Sequence, residues 1–365
     1  MFTSQDRTHI YYWKCDRAAA FHGTEAQRPD TPDLEPQLRA ALARRFPGAA
    51  LVLTPADGQG NHRTFRLRLD AQDAFVRTED GPEHDNYFDV ETVVTAALHA
   101  RGLPVPRVLA CDCRRTETPF AWQVLDYVPL PDLNHHHKQG TLDLPRVAEA
   151  IGEAVARWQD VTPPGFGPFS AATARAENRL AGLHPAYADY FTLNLRRHLD
   201  FLAARAFLTP AQAAAISETV ARHALLLALP QGCLVHKDLA LWNILGSPEH
   251  IAAFIDWDDA ISGDPMDDLS LLACFHGAPV LEHALAGYAR VRPLPQNHLK
   301  RLWLHLLRNM IVKAVIRVGA GYFTRDSGFY LIGTGSTGAD LETFTRARID
   351  TALRGLNDNL DLSIL

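Results

Sequence analysis

The sequence predicts an α+β protein in two lobes: a small one built on an antiparallel sheet with one helix, and a larger one that is mostly helical. Three observations carry this. At 365 residues the chain exceeds what one hydrophobic core usually organises. Strand-like stretches crowd the segment before residue 127. From residue 143 onward apolar residues recur at helical spacing, interrupted by one strand-like region around 233–255.

Residues 1–35 read as an extension, polar and irregular, with Pro29 and Pro32 near its end. Its Tyr11, Tyr12 and Trp13 are expected to pack on the first lobe. That lobe spans 36–127. Asp33 stands where an N-cap would, before a helix through Phe46 with Leu34, Leu38 and Leu42 on one face. Residues 49–54 read as a strand and Asp57-Gly58-Gln59-Gly60-Asn61 as a turn. Residues 64–69 alternate Phe65, Leu67 and Leu69 with Arg66 and Arg68, and 74–77 follow as a third strand. A helix over 86–100 sets Val90, Val93, Val94, Ala97 and Leu98 on one stripe. Gly102-Leu103-Pro104 breaks it, and 108–110 and 120–125 read as two more strands. The second lobe, 128–365, opens on an irregular stretch. Helices are expected at 143–158, 171–182, 186–206, 210–227, 265–276, 279–291, 296–319 and about 339–355, with Thr162 to Gly167 a rigid loop.

Composition narrows the function. Hydrophobic content of 47% and charged content of 21% describe an ordinary globular protein. A net charge of −6 argues against a nucleic-acid partner and suits a cationic small-molecule substrate. No apolar run is long enough for a transmembrane helix, the N-terminus does not read as a signal peptide, and five cysteines make no disulfide framework. A cytoplasmic protein with no membrane partner is expected.

Chemistry concentrates in 233–269. His236-Lys237-Asp238 is followed by Asn243; Ile255-Asp256-Trp257-Asp258 is followed by Gly263-Asp264-Pro265 and Asp268-Leu269. Cys233-Leu234-Val235 reads as a buried strand entering a loop, Trp242 to Leu245 as its return, and Ile251 to Ile255 as a strand that delivers Asp256 at its tip. Asp238 can accept a proton. Asn243 and Asp256 offer the oxygen ligands that Mg²⁺ prefers. Those are the parts phosphoryl transfer needs: a base for the acceptor hydroxyl, and a metal to neutralise phosphate charge. Asp264 before Pro265 also fits plain helix capping.

The ordered series H-x-D-x-x-x-x-N, I-D and G-D-P-x-x-D-L resembles the aminoglycoside phosphotransferase and choline kinase family, small-molecule kinases related in fold to protein kinases. The resemblance covers roughly 36–320. It implies a bilobal protein-kinase-like fold with ATP or GTP and Mg²⁺ between the lobes. On it, Asp238 is the catalytic base, His236 orients the loop, and Asn243 and Asp256 bind Mg²⁺, with Asp258 beside them. Gly58 and Gly60 match the hairpin over the phosphates. Arg77 stands where the family usually has Lys, with Glu91 behind it; Gln123, Leu125 and Tyr127 fall in the interlobe hinge that would meet the base. Lys237 replaces a frequent Gly, its ammonium reaching a phosphate or facing water. The implied activity is phosphorylation of a small hydroxylated metabolite or antibiotic. The alternative is a non-catalytic nucleotide-binding relative, prompted by Arg77 and the thin glycine loop. A protein kinase is disfavoured because Ile255-Asp256-Trp257 stands where D-F-G would.

Three patterns carry less. Cys111-Asp112-Cys113 lacks a second Cys/His pair for a metal site. His135-His136-His137 point different ways and cannot chelate together. Gly333-Thr334-Gly335-Ser336-Thr337-Gly338 fits a dinucleotide fingerprint, but the 27 residues after it leave no room for the domain it serves.

Overall fold

Alternation along the chain builds the first sheet. In the computed structural model, which describes residues 7–17, 31, 33–56, 62–81, 84–85, 87–324 and 338–365, strand β2 (Arg63–Leu69) buries Phe65 and Leu67 and exposes Arg66 and Arg68. It pairs with β1 (Leu51–Pro55) and β3 (Gln72–Glu79), and β5 (Ala121–Asp126) and β4 (Val108–Asp112) complete an antiparallel sheet in the order β1-β2-β3-β5-β4. Helix Leu34–Arg45 covers one face, Leu34, Leu38 and Leu42 meeting Leu67, Val76, Trp122 and Val124. Asp33 does not cap this helix: its backbone is left-handed and its side chain makes no cap hydrogen bond. Helix Phe88–His99 buries Val90, Val94 and Leu98 and carries Glu91 towards β3.

The second lobe is helical, as expected, around helix His298–Gly319, whose Leu306, Leu307, Met310 and Ile311 are fully buried. Helices Leu144–Trp158 and Ala278–Val291 approach closely because both are glycine at the contact: a Cβ on Gly152 would lie 1.8 Å from the Ala284 carbonyl oxygen, and one on Gly287 2.0 Å from that of Glu149. Asp143, expected as the first helical residue, caps the first of these helices instead, its side chain accepting from the Arg146 amide. His135-His136-His137 lie in a short helix, Leu133–Lys138, rather than an irregular stretch.

Of a second sheet the sequence reading held one strand, Cys233–Val235. Strands β6 (Phe166–Phe169), β7 (Gly182–His184), β8 (Cys233–Val235) and β11 (Ile261–Gly263) form an antiparallel sheet in the order β7-β6-β11-β8. Each is three or four residues long, too short for a period to show. Strands β9 (Ile244–Gly246) and β10 (Ile251–Phe254) form the hairpin that follows the loop carrying His236, Asp238 and Asn243. Trp242 and Asn243, expected in that strand, lie in a single 3-10 turn, Leu241–Asn243.

Residues 7–17 are no loose extension. Tyr11 stacks on Tyr190 at 5.0 Å and lies 3.6 Å beneath the Arg308 guanidinium, so the aromatics pack into the helical lobe, not on the first sheet. Asp16 accepts from the Tyr11 and Tyr12 amides and lies 2.7 Å from His198 Nε2. Among the described residues no helix is long and apolar enough to cross a membrane.

Candidate active site

The loop between β8 and β9 is pinned from below. The Asp268 carboxylate accepts from the backbone amides of His236 at 2.9 Å and Lys237 at 3.1 Å, and from Trp158 Nε1 at 3.1 Å. Burial pushes Asp268 up to about 7 against those three donors. His236 is fully buried, and burial holds its ring neutral. Its Nε2 lies 2.9 Å from the Ile255 carbonyl oxygen, which can only accept, so Nε2 carries the proton and Nδ1 accepts from the Asp238 amide at 3.3 Å. His236 thus ties the loop to the strand that ends at Asp256.

Lys237 departs from expectation. Its ammonium is turned inward: it is buried and donates to Asp267 at 2.8 Å, Tyr11 Oη at 3.0 Å and Asn309 Oδ1 at 3.2 Å. Its φ of 70° lies in the left-handed region, where a glycine fits freely and other residues are strained by about 1–2 kcal/mol. The buried ion pair offsets that strain, which is how a lysine stands where a glycine is frequent.

Asp238 is 4% exposed, and both its oxygens are engaged. Oδ1 accepts from Tyr12 Oη at 2.9 Å; Oδ2 accepts from Lys14 Nζ at 2.7 Å and Asn243 Nδ2 at 3.1 Å. Burial would raise its pKa; Lys14 and Lys313 outweigh burial and hold the carboxyl below its ordinary range. Asn243 Nδ2 also donates to the Asp238 carbonyl at 2.8 Å, fixing which way the amide faces. The Ile255 amide donates to the Asn243 carbonyl at 3.0 Å, so the hairpin sets Asn243 and Asp256 side by side. Asp256, at φ 68°, turns left-handed at the end of β10, a conformation Asp tolerates. Ligand atoms of His62, Asp256 and Asp258 lie within 4.8 Å of one another. The two carboxylates, with Asn243 beside Asp256 across the hairpin, offer the oxygen ligands a hard divalent cation prefers, whereas His62 is bound to Asp258 and Glu79.

Arg77 links this corner to the first sheet. It pairs with Glu91 and donates to Gln123 Oε1 at 2.9 Å and Asp256 Oδ1 at 2.9 Å. Glu91 in turn accepts from the Trp257 amide at 3.0 Å. Gln123 therefore sits mid-strand, opposite Arg77, rather than in a hinge. Leu125 is buried nearer the strand end, and Tyr127 follows it, 4.7 Å beneath the Arg66 guanidinium. Gly58, Gly60 and residues 333–337 of the glycine-rich tail lie outside the described residues. Cys111 lies in β4 and Cys113 just after it, their sulfurs 3.0 Å apart and grouped with Asp89.

Several residues of this site gave no sequence signal. Arg7, 2% exposed, donates to Asp85 and Asp259 at 2.9 Å each and to the Asp258 carbonyl at 2.8 Å. His62 bridges Glu79 and Asp258 at 3.3 Å each; burial lowers its pKa, but the two carboxylates push it up to about 10. Tyr12 and Lys14 lie more than 220 positions from Asp238 in sequence, beyond any local pattern.

A protein-family model described as the phosphotransferase enzyme family matches residues 52–298, which hold the first sheet, the catalytic loop and the β9–β10 hairpin. The chain belongs to the phosphotransferase enzyme family. Among solved structures it is similar to a thermostable mutant of aminoglycoside phosphotransferase APH(4)-Ia in ternary complex with AMP-PNP and hygromycin B, at 17% identity and a TM-score of 0.62, covering 87% of this chain and 98% of that one. It is also similar to macrolide 2'-phosphotransferase MphH from Brachybacterium faecium, at 19% identity and a TM-score of 0.55, covering 89% and 99%. No curated protein matches the chain. The protein-kinase-like fold expected from the motif series is the fold observed.

Proposed function

We propose that this phosphotransferase moves the γ-phosphate of a nucleoside triphosphate, ATP or GTP, to a hydroxyl of a small molecule. The observation that carries the reading is Asp238: a buried carboxylate held ionised at neutral pH, with hydroxyl and ammonium donors already on its oxygens. In the reaction the acceptor oxygen bonds to phosphorus, the bond to the leaving diphosphate breaks, and the acceptor proton passes to Asp238. An acceptor hydroxyl would take the Oδ1 position that Tyr12 Oη now holds. Asn243 and Asp256 would hold Mg²⁺, which supplies charge neutralisation at the phosphates. Arg77, fixed by Glu91 and Gln123, would contact phosphate oxygens through a planar guanidinium fork, where a lysine offers a compact point charge. The lobe up to residue 127 would take the nucleotide and 128–365 the acceptor; the similar structure in ternary complex with AMP-PNP and hygromycin B supports a site for both.

The test is nucleotide turnover with Mg²⁺ and ATP or GTP over hydroxylated antibiotics, sugars and amino alcohols. Acceptor-stimulated turnover that disappears in Asp238→Ala supports the reading. Nucleotide binding without turnover for any acceptor supports a non-catalytic relative instead.

A further inference from the structure

Net charge suggested a cationic acceptor; the side chains around Asp238 favour the opposite. Lys313, on helix His298–Gly319, is half-buried, lies 4.6 Å over the Phe275 ring and helps to hold Asp238 ionised. Phe275 packs edge-on against Trp242 of the catalytic loop at 4.9 Å. Arg317, one turn further along that helix, is 1% exposed; Nη1 donates to Thr345 Oγ1 at 2.7 Å, while Nη2 is buried without a hydrogen-bond partner. Arg348, 8% exposed on helix Gly338–Asp358, donates to the His276 carbonyl at 3.2 Å. All three cations lie within electrostatic reach of the Cys274 thiol.

Among the described residues, none of the three pairs with a carboxylate. The buried acids below are committed elsewhere: Asp264 to Arg301, Asp267 to Lys237 and Asn309, Asp268 to the loop backbone. Burial lowers the pKa of Lys313, Arg317 and Arg348, Arg317 to about 10; at Lys313 it outweighs the opposing pull of the Cys274 thiol and Asp238. Buried charges in proteins are paired, either within the chain or with a ligand. Lys14, Lys313, Arg317 and Arg348 also all lie outside residues 52–298, the part shared across the family.

Resting on the kinase reading, we propose that the acceptor is an anion-bearing alcohol, its carboxylate or phosphate held by Lys313, Arg317 and Arg348 with Lys14 at the rim, and its hydroxyl presented to Asp238. A polycationic acceptor would meet a like-charged wall. Two experiments on the full chain test this. In calorimetry with inorganic phosphate, the wild type and Lys313→Arg bind, whereas Lys313→Met and Arg317→Met lose about tenfold or more in affinity, as removal of a charged hydrogen-bond donor predicts. Absence of phosphate binding, or equal binding by Lys313→Met, overturns the proposal, and Lys313, being half-buried, keeps the test open if Arg317→Met does not fold. In turnover assays, glucuronate or glucose 6-phosphate outperforms glucose and glucosamine, the preferred member telling carboxylate from phosphate. Preference for glucosamine or glucose overturns the proposal while leaving the kinase reading intact; loss of nucleotide turnover with every acceptor, despite phosphate binding that depends on Lys313, fails the kinase reading alone.

Discussion

Replacing Asp238 by alanine separates the fold from the chemistry, and the structure sets the size of each effect. The substitution takes the acceptor from three donors: Tyr12 Oη, Lys14 Nζ and one of the two bonds made by Asn243 Nδ2. Asn243 keeps its bond to the residue-238 carbonyl, so its loss is small. Lys14 has a side chain 34% exposed and regains water, so losing that pair is worth about 1 kcal/mol or less. The Tyr12 hydroxyl is buried and left unpaired, at roughly 1–3 kcal/mol. The whole comes to about 2–4 kcal/mol. For a chain of 365 residues this lowers Tm by roughly 3–5 °C, given an unfolding entropy near 2.1 cal/mol/K per residue. Differential scanning calorimetry reads that shift; the coupled assay reads turnover, expected to fall about 10²–10⁴-fold if Asp238 is the base. Asp238→Asn keeps an acceptor for Tyr12 and so recovers part of the Tm, but no turnover. Turnover of Asp238→Ala within tenfold of wild type would refute the assignment of Asp238, whatever the melting temperature shows.

Three further outcomes follow from the packing and the charges. Arg7→Ala leaves Asp85 and Asp259 buried without their common cation and should destabilise by roughly 3–5 kcal/mol; denaturant titration showing less than 1 kcal/mol would contradict the anchoring role of residues 7–17. Gly152→Ala drives a Cβ into the Ala284 carbonyl and should lower stability by about 1–3 kcal/mol or more, with its Tm visibly below that of Gly140→Ala, where the added carbon has open space but a φ of 68°. Burial, with His137 and Arg348 nearby, lowers His276 from 6.5 to about 4. The unfolded ring therefore takes up its proton first, and folded stability falls as pH drops from about 6.5 towards 4. His276→Gln removes that slope, gaining on wild type by on the order of 2 kcal/mol at the acid end after discounting for partial exposure; parallel stability–pH curves would refute this.

The sequence determined what depends on neighbours along the chain. Alternation in 63–69 set the sheet's inner face, helical spacing set the 88–99 and 144–158 helices, and the order of His236, Asp238, Asn243 and Asp256 marked the catalytic loop, because strand, turn and strand bring those residues together within twenty positions. Three-residue strands such as β11 carry no period, so of the second sheet only the apolar run of β8 was legible. The role of Lys237 turned on a left-handed backbone and a partner, Asp267, thirty residues away. Only the tertiary structure decided what surrounds Asp238: Tyr12 and Lys14 from the start of the chain, Lys313 from near its end. Net charge, a sum over the whole surface, suggested a cationic acceptor; the local field at one buried carboxylate is set by the few charges the fold carries to it, and here the leading ones are the cations Lys14 and Lys313.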